Sequence, residues 1–131
     1  MMNNAYAQYK TQSLSTMLQG ELLVKLFDEM LKQCRIAELA IAKKDNAAVH
    51  ESLMKTQTIL STLVTSLDDR YTISKELKSL YTFFAQELRE ANIKKDARKI
   101  TGILPLIKDL RNSFEQADKI SRTQKYAAVG G

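Results

Sequence analysis

Four times along this chain, apolar residues recur in alternating steps of three and four, and that periodicity limits what the chain can fold into. Leu23, Phe27, Met30, Cys34, Ala37 and Ile41 form the first run. Val49, Leu53, Thr56, Leu60, Leu63 and Leu67 form the second, and Ile73, Leu77, Tyr81, Phe84, Leu88 and Ala91 the third. The fourth comprises Ile100, Ile103, Ile107, Leu110, Phe114 and Ala117, with Leu104 beside it and an extension towards Ile120. Side chains spaced this way fall on one face of an α-helix, so each run is an amphipathic helix whose stripe needs a partner. Four such stripes satisfy one another in an all-α, antiparallel four-helix bundle with shallow crossing angles. An all-β fold is disfavoured, because four Gly, one Pro and 7% aromatic residues supply too few tight turns and too few strand-forming side chains.

The connections set the topology. Lys43-Lys44-Asp45 separates the first two stripes and Lys94-Lys95-Asp96 the last two. Cations suit a helix C-terminus, and Asp suits the next N-cap, so each Lys-Lys-Asp reads as a tight link between antiparallel neighbours in an up-down-up-down order. The middle connection, Asp68 to Thr72, has neither Gly nor Pro, and Thr72 is its candidate N-cap. Thr16-Met17-Leu18-Gln19 has the form of a capping box and places the first helix start near Met17. Pro105 lies inside the fourth stripe, where it removes an N–H and crowds the carbonyl of Thr101; either a kink just after Gly102 or a break into a fifth helix is expected. The domain reading is an N-terminal arm over residues 1–18, a bundle over 19–120 and a flexible C-terminal tail over 121–131.

Catalytic chemistry needs convergent polar groups, and the sequence offers few. The one histidine, His50, reads as a surface residue, and Cys34 sits on a core stripe where cysteine behaves as a small hydrophobe. Asp28-Glu29 and Asp68-Asp69 are adjacent in sequence and do not face one another on a helix. There is no Cys/His set spaced for a metal and no glycine-rich phosphate loop, so the expectation is a non-enzyme without metal or cofactor. No basic n-region followed by an apolar h-region opens the chain, and the longest uncharged apolar stretch, Thr56 to Leu67, is too short to span a bilayer; a cytoplasmic, reduced protein is expected.

The net charge of +5 is carried by the C-terminal part of the chain. Met1 to Asn92 holds 11 Lys/Arg against 11 Asp/Glu, and Ile93 to Gly131 holds 9 against 4. That excess reads either as a solvated last helix and tail or as an electrostatic patch for nucleic acid or anionic membrane, carried by Lys94, Lys95, Arg98, Lys99, Lys119, Arg122 and Lys125.

More informative is an apolar surplus beyond one stripe per helix: Leu22, Leu26 and Ile36, then Ile59 and Val64, then Leu80 and Phe83. Wide core faces are ordinary in globular helices, but together these residues also outline a groove for helices of a partner. Tyr6 and Tyr9 stand in an otherwise polar arm and either fold back over the bundle or anchor a ligand.

Those same residues resemble the FliS family of flagellar secretion chaperones. Tyr6, Tyr9, Ser13, Thr16 and Gly20-Glu21-Leu22 leading into Leu26-Phe27-Asp28 are similar to the family's N-terminal segment, although Gln19 stands where the family has Pro. Leu67-Asp68, the Leu80-Tyr81-Thr82-Phe83-Phe84 run, Leu88, Ala91, Asn92 and Asp96, and Leu110-Arg111 with Phe114 continue the likeness in order to about Ala117. The resemblance implies a four-helix bundle that binds the disordered C-terminal segment of flagellin, prevents its premature polymerisation and delivers it to the flagellar export gate. Tyr6, Tyr9, Leu22, Leu26, Ile36, Ile59, Val64, Leu80, Tyr81 and Phe83 are then the candidate partner-binding residues. A groove built for a client can also pair with a second copy of the chain. With the family match in view, Asn92 is expected to take a left-handed conformation at the end of the third helix, with Asp96 capping the fourth.

Overall fold

The computed structural model describes residues 18–130, with side chains as far as 124. Four helices account for almost all of it: α1 (Gly20–Ala42), α2 (Asn46–Thr65), α3 (Ile73–Lys94) and α4 (Ala97–Gly130). Each of the four stripes faces inward. Phe27, Met30, Cys34 and Ala37 of α1, Val49 and Leu63 of α2, Phe84, Leu88 and Ala91 of α3, and Ile100 and Ile107 of α4 are fully buried. Ile41, Leu67 and Ile73, at stripe ends, and Leu110, within the fourth stripe, are half-buried against that core. Thr56 belongs to the second stripe at no polar cost, because its buried hydroxyl donates to the Leu53 carbonyl at 2.6 Å.

The helices form a ring in which α1 packs on α2 and α4, and α3 on α2 and α4. Cross-helix bonds give the directions. Thr101 Oγ1 donates to Glu38 at 2.9 Å and Arg111 Nε to Asp28 at 2.8 Å, so α4 runs antiparallel to α1. Gln57 Nε2 donates to the Ala85 carbonyl at 2.8 Å, and Asn92 Nδ2 lies 2.9 Å from His50 Nδ1, so α3 runs antiparallel to α2. The up-down-up-down order expected from the short connections is the observed one.

Both Lys-Lys-Asp links have the same backbone. At the end of α1 the Asp45 N–H donates to the Ala40 carbonyl and the Lys44 N–H to that of Ile41, while Lys44 takes φ 58°. After α3 the Asp96 N–H donates to Ala91, and Lys95 takes φ 52°. These are left-handed helix ends of the Schellman type. Each Asp then caps the next helix: Asp45 Oδ1 accepts from Ala48 N at 3.1 Å and Asp96 Oδ1 from Arg98 N at 3.0 Å.

Three local expectations change. Asn92 remains helical and the left-handed residue is Lys95, because the helix continues to Lys94 before it turns. Thr72 precedes α3 but has helical dihedrals and makes no side-chain cap; the α3 start is held instead by Ser74, whose Oγ donates to the Tyr71 carbonyl at 2.7 Å. The first helix starts at Gly20, with Gln19 extended at the N-cap position and its side chain making no capping bond. Thr16 of the expected capping box lies outside the described residues. Of the two outcomes open at Pro105, the break into a fifth helix does not occur: α4 passes through Pro105 as one helix. Pro105 is exposed, and nothing lies within 4 Å of where a Cβ on Gly102 would sit, so water can reach the carbonyl that the missing N–H leaves.

Candidate partner-binding surface

The core is closed by aromatic packing at its centre. Phe27 stacks on Phe114 with ring centroids 5.6 Å apart and meets Tyr81 at 6.2 Å in a tilted arrangement. Tyr81 is only 2% exposed, and burial pushes its hydroxyl above the ordinary phenol range. Cys34 lies in the same interior; burial, with the Glu38 charge adding, pushes its thiol up to about 12, so it stays protonated and unreactive.

The outside is less complete, and the seam between α3 and α4 is the thinnest of the four contacts. Near the connector this seam is pinned by Lys99, whose Nζ meets Glu90 at 3.0 Å and Glu87 at 3.5 Å. The Lys99 ammonium, chiefly by its hydrogen bond, holds the Glu90 carboxyl below the ordinary carboxylate range. One to two turns beyond that bridge, the antiparallel register brings Leu80 and Phe83 of α3 level with Leu106 and Leu110 of α4. Leu80 and Leu110 are half-buried against the core, while Phe83 is 43% and Leu106 45% exposed. The Phe83 ring tilts against Phe84 at 6.0 Å, so it is anchored at one edge and open on the other.

A second groove, of about 230 Å³, lies between α2 and α3 and is lined by Leu53, Met54, Gln57, Leu88, Arg89 and Asn92. The Gln57–Ala85 and Asn92–His50 bonds span α2 and α3 beside it and hold the two helices in register. Its wall is apolar from Leu53, Met54 and Leu88, with the Arg89 guanidinium as a charged edge. Apolar side chains beside a few polar groups are the make-up of a groove that receives an amphipathic helix.

The candidate residues from the sequence separate by depth. Leu22, Ile36 and Phe83 are exposed, whereas Leu26, Val64 and Leu80 are half-buried. Ile59 and Tyr81 lie in the core. Tyr6 and Tyr9 lie outside the described residues. Sequence reasoning missed Met54 and Leu106, which the structure places in the two grooves or beside them, and the exposed Leu39 and Ile93. Met54 and Leu106 each neighbour a stripe residue, Leu53 and Ile107, and a helical wheel turns them away from the core; that angle was the available signal. Among the described residues no group of three or more His, Cys, Asp or Glu side chains could hold a metal, and no helix is long and apolar enough to cross a membrane.

The class of protein is an all-α four-helix bundle with a closed aromatic core and apolar side chains left on its outer seams. The chain belongs to the FliS family of flagellar proteins: the family model described as "Flagellar protein FliS" matches residues 2–121. It is also 29% identical over 127 residues to the flagellar secretion chaperone FliS of Bacillus subtilis (strain 168), covering 97% of this chain and 96% of that one. FliS is a family of chaperones and not of enzymes.

Proposed function

We propose that this protein is a cytoplasmic flagellar export chaperone that binds the disordered C-terminal segment of flagellin, keeps it from polymerising and hands it to the export gate. The observation that carries the reading is the open α3–α4 seam, with Phe83 and Leu106 exposed over half-buried Leu80 and Leu110, in a chain of the FliS family. Client helices laid on such seams bury side chains worth about 1.5–3 kcal/mol each, against an ordering cost of about 2–5 kcal/mol for a segment that folds on binding. A few anchors suffice. Leu22, Ile36 and Met54 extend the surface on α1 and α2, and Tyr6 and Tyr9 of the arm over residues 1–18 add anchors for the client. Buried Ile59 and Tyr81 support the surface from below. An apolar seam of this kind also fits a second copy of the chain, which a client would displace.

The charge-based alternative, a basic adaptor for nucleic acid or anionic membrane, draws less support. Lys99 is paired with Glu87 and Glu90, Lys119 with Glu115, and Arg122 with Asp118, which breaks the C-terminal basic stripe into local ion pairs. The test is calorimetric titration with purified flagellin. Wild-type protein should bind full-length flagellin and fail to bind flagellin lacking its C-terminal segment, and Phe83→Asp with Leu106→Asp should abolish binding while the thermal transition stays in place. Undiminished binding of the truncated flagellin sinks the assignment.

A further inference from the structure

The two Lys-Lys-Asp links lie at the same end of the bundle, because α1 and α3 both finish there. Thr101 against Glu38 and Asn92 against His50 tie all four helices together beside it. At helix spacings of ~8–10 Å the links sit about one helix diameter apart, so four lysine side chains, Lys43, Lys44, Lys94 and Lys95, can reach over one small face.

Three features make this face more than a solvated helix end. First, its two carboxylates are engaged in capping bonds at the helix starts. Asp45 is engaged with an N–H of α2, and Asp96 with an N–H of α4 and the Arg98 guanidinium at 3.1 Å. Second, Lys43, Lys44, Lys94 and Lys95 make no ion pair among the described residues, unlike Lys99 close by and Arg111 and Arg122 farther along α4. The Lys95 ammonium is instead oriented by a neutral group, donating to Asn92 Oδ1 at 2.6 Å, and Asn92 is in turn held by His50. Its direction is set while its charge stays uncompensated. Third, Lys44 and Lys95 occupy left-handed positions where glycine is the least strained choice. Both links therefore carry a lysine at a position where the backbone favours glycine, an outlier that motivates a role for the side chain.

We propose that this connector end is a docking face for a carboxylate-rich extended segment of a protein partner, with Lys95 as the preset anchor and Lys43, Lys44 and Lys94 closing around it. Alternate side chains of an extended strand recur on one face every ~6.5–7 Å, a repeat that flexible lysines on the two links can match. The face is small and its cations are lysines, suited to single carboxylates, whereas a polyphosphate chain or a bilayer surface would call for a longer basic track.

The probe is a fluorescein-labelled peptide of alternating Glu and Ser, followed by fluorescence anisotropy at low ionic strength. Saturable binding is expected, weakened by added salt and by roughly tenfold in the double variant Lys44→Gly, Lys95→Gly. That variant relieves two left-handed lysines, so its Tm should rise while peptide binding falls and flagellin binding is kept; a purely structural role would not separate these readouts. No saturable peptide binding, or equal binding by wild type and variant, overturns the proposal. So does tighter lysine-dependent binding of phosphatidylserine vesicles or single-stranded oligothymidylate than of the peptide.

Discussion

Two phenylalanines show how differently this bundle treats its centre and its α3–α4 seam. Phe27 on α1 is fully buried, stacked on Phe114 and tilted against Tyr81. Phe83 on α3, two residues from Tyr81, keeps 43% of its surface in solvent and touches an aromatic neighbour only along one edge. Side-chain type is the same in both. What differs is whether a neighbouring helix covers that angle of the wheel, and α4 covers α3 less than any other helix covers its neighbour in the ring. The centre therefore contributes stability, and the seam leaves apolar surface in solvent, the surface we propose for the client.

The largest expected effect breaks the centre. Phe27→Ala should cost about 3–5 kcal/mol in urea-induced unfolding, as large core truncations do, because two rings lose their shared neighbour. A much smaller loss would mean the core collapses readily around the gap.

Two glycines sharpen the comparison with opposite signs. A Cβ on Gly20 would sit 2.5 Å from Asp118 Oδ1 and 3.0 Å from its Cβ, where α4 crosses the start of α1. Gly20→Ala should therefore destabilise by about 1 kcal/mol, after overpacking is set against the gain in helix propensity. Adding Asp118→Ala should recover most of that loss in a double-mutant cycle. Gly102, on the exposed side of α4, has nothing within 4 Å of that position, so Gly102→Ala should stabilise by roughly 0.5–1 kcal/mol. Equal effects at the two sites would show that the α1–α4 approach is looser than described.

Truncating the seam should hardly register. Phe83→Ala is expected to change stability by less than about 0.5 kcal/mol while weakening flagellin binding in the same calorimetric assay. A loss comparable to that of Phe27→Ala would put Phe83 in the core and erase the distinction.

The smallest effect is electrostatic. Hydrogen bonds from Lys99 to Glu90, from Arg98 to Asp96 and from Arg70 to Asp68 hold these carboxyls below their ordinary values. A depressed folded-state value adds stability above the unfolded pKa, and that contribution disappears as pH falls through the folded one. Thermal unfolding should therefore show stability falling as pH drops below the ordinary 4.5 of Glu and 3.8 of Asp. Lys99→Met should flatten the Glu90 part of that slope, and an unchanged profile would remove the ion pair as a contributor to the seam.

Much of this fold was legible in the residues. The stripes gave four helices, and the buried set follows them almost position by position, even at Thr56, whose hydroxyl bonds within its own helix. The Lys-Lys-Asp links read correctly as tight turns with Asp caps. The left-handed position was misplaced to Asn92, because a side-chain preference for that conformation is weak beside the helix's own hydrogen bonds, which continue to Lys94. The candidate site was legible in part. Phe83, Leu22 and Ile36 stood out as surplus and are exposed, but Ile59 and Tyr81 met a neighbouring helix and went to the interior. Met54 and Leu106 went unnoticed because each sits beside a stripe that accounted for its hydrophobicity.

The sequence by itself determined what is local: where the helices run, how the short links turn and cap, and which face of each helix turns inward. Periodicity and capping act over a few residues, so they can be read along the chain. Only the tertiary structure decided which surplus apolar groups stay outside and which charges share a surface. The basic excess, counted along the chain, belonged to its C-terminal part; in space Lys43 and Lys44 join Lys94 and Lys95 at one end, while Lys99, Lys119 and Arg122 are spent in ion pairs. Exposure and electrostatic grouping depend on what the neighbouring helix brings to the same place, and only the packed bundle supplies that.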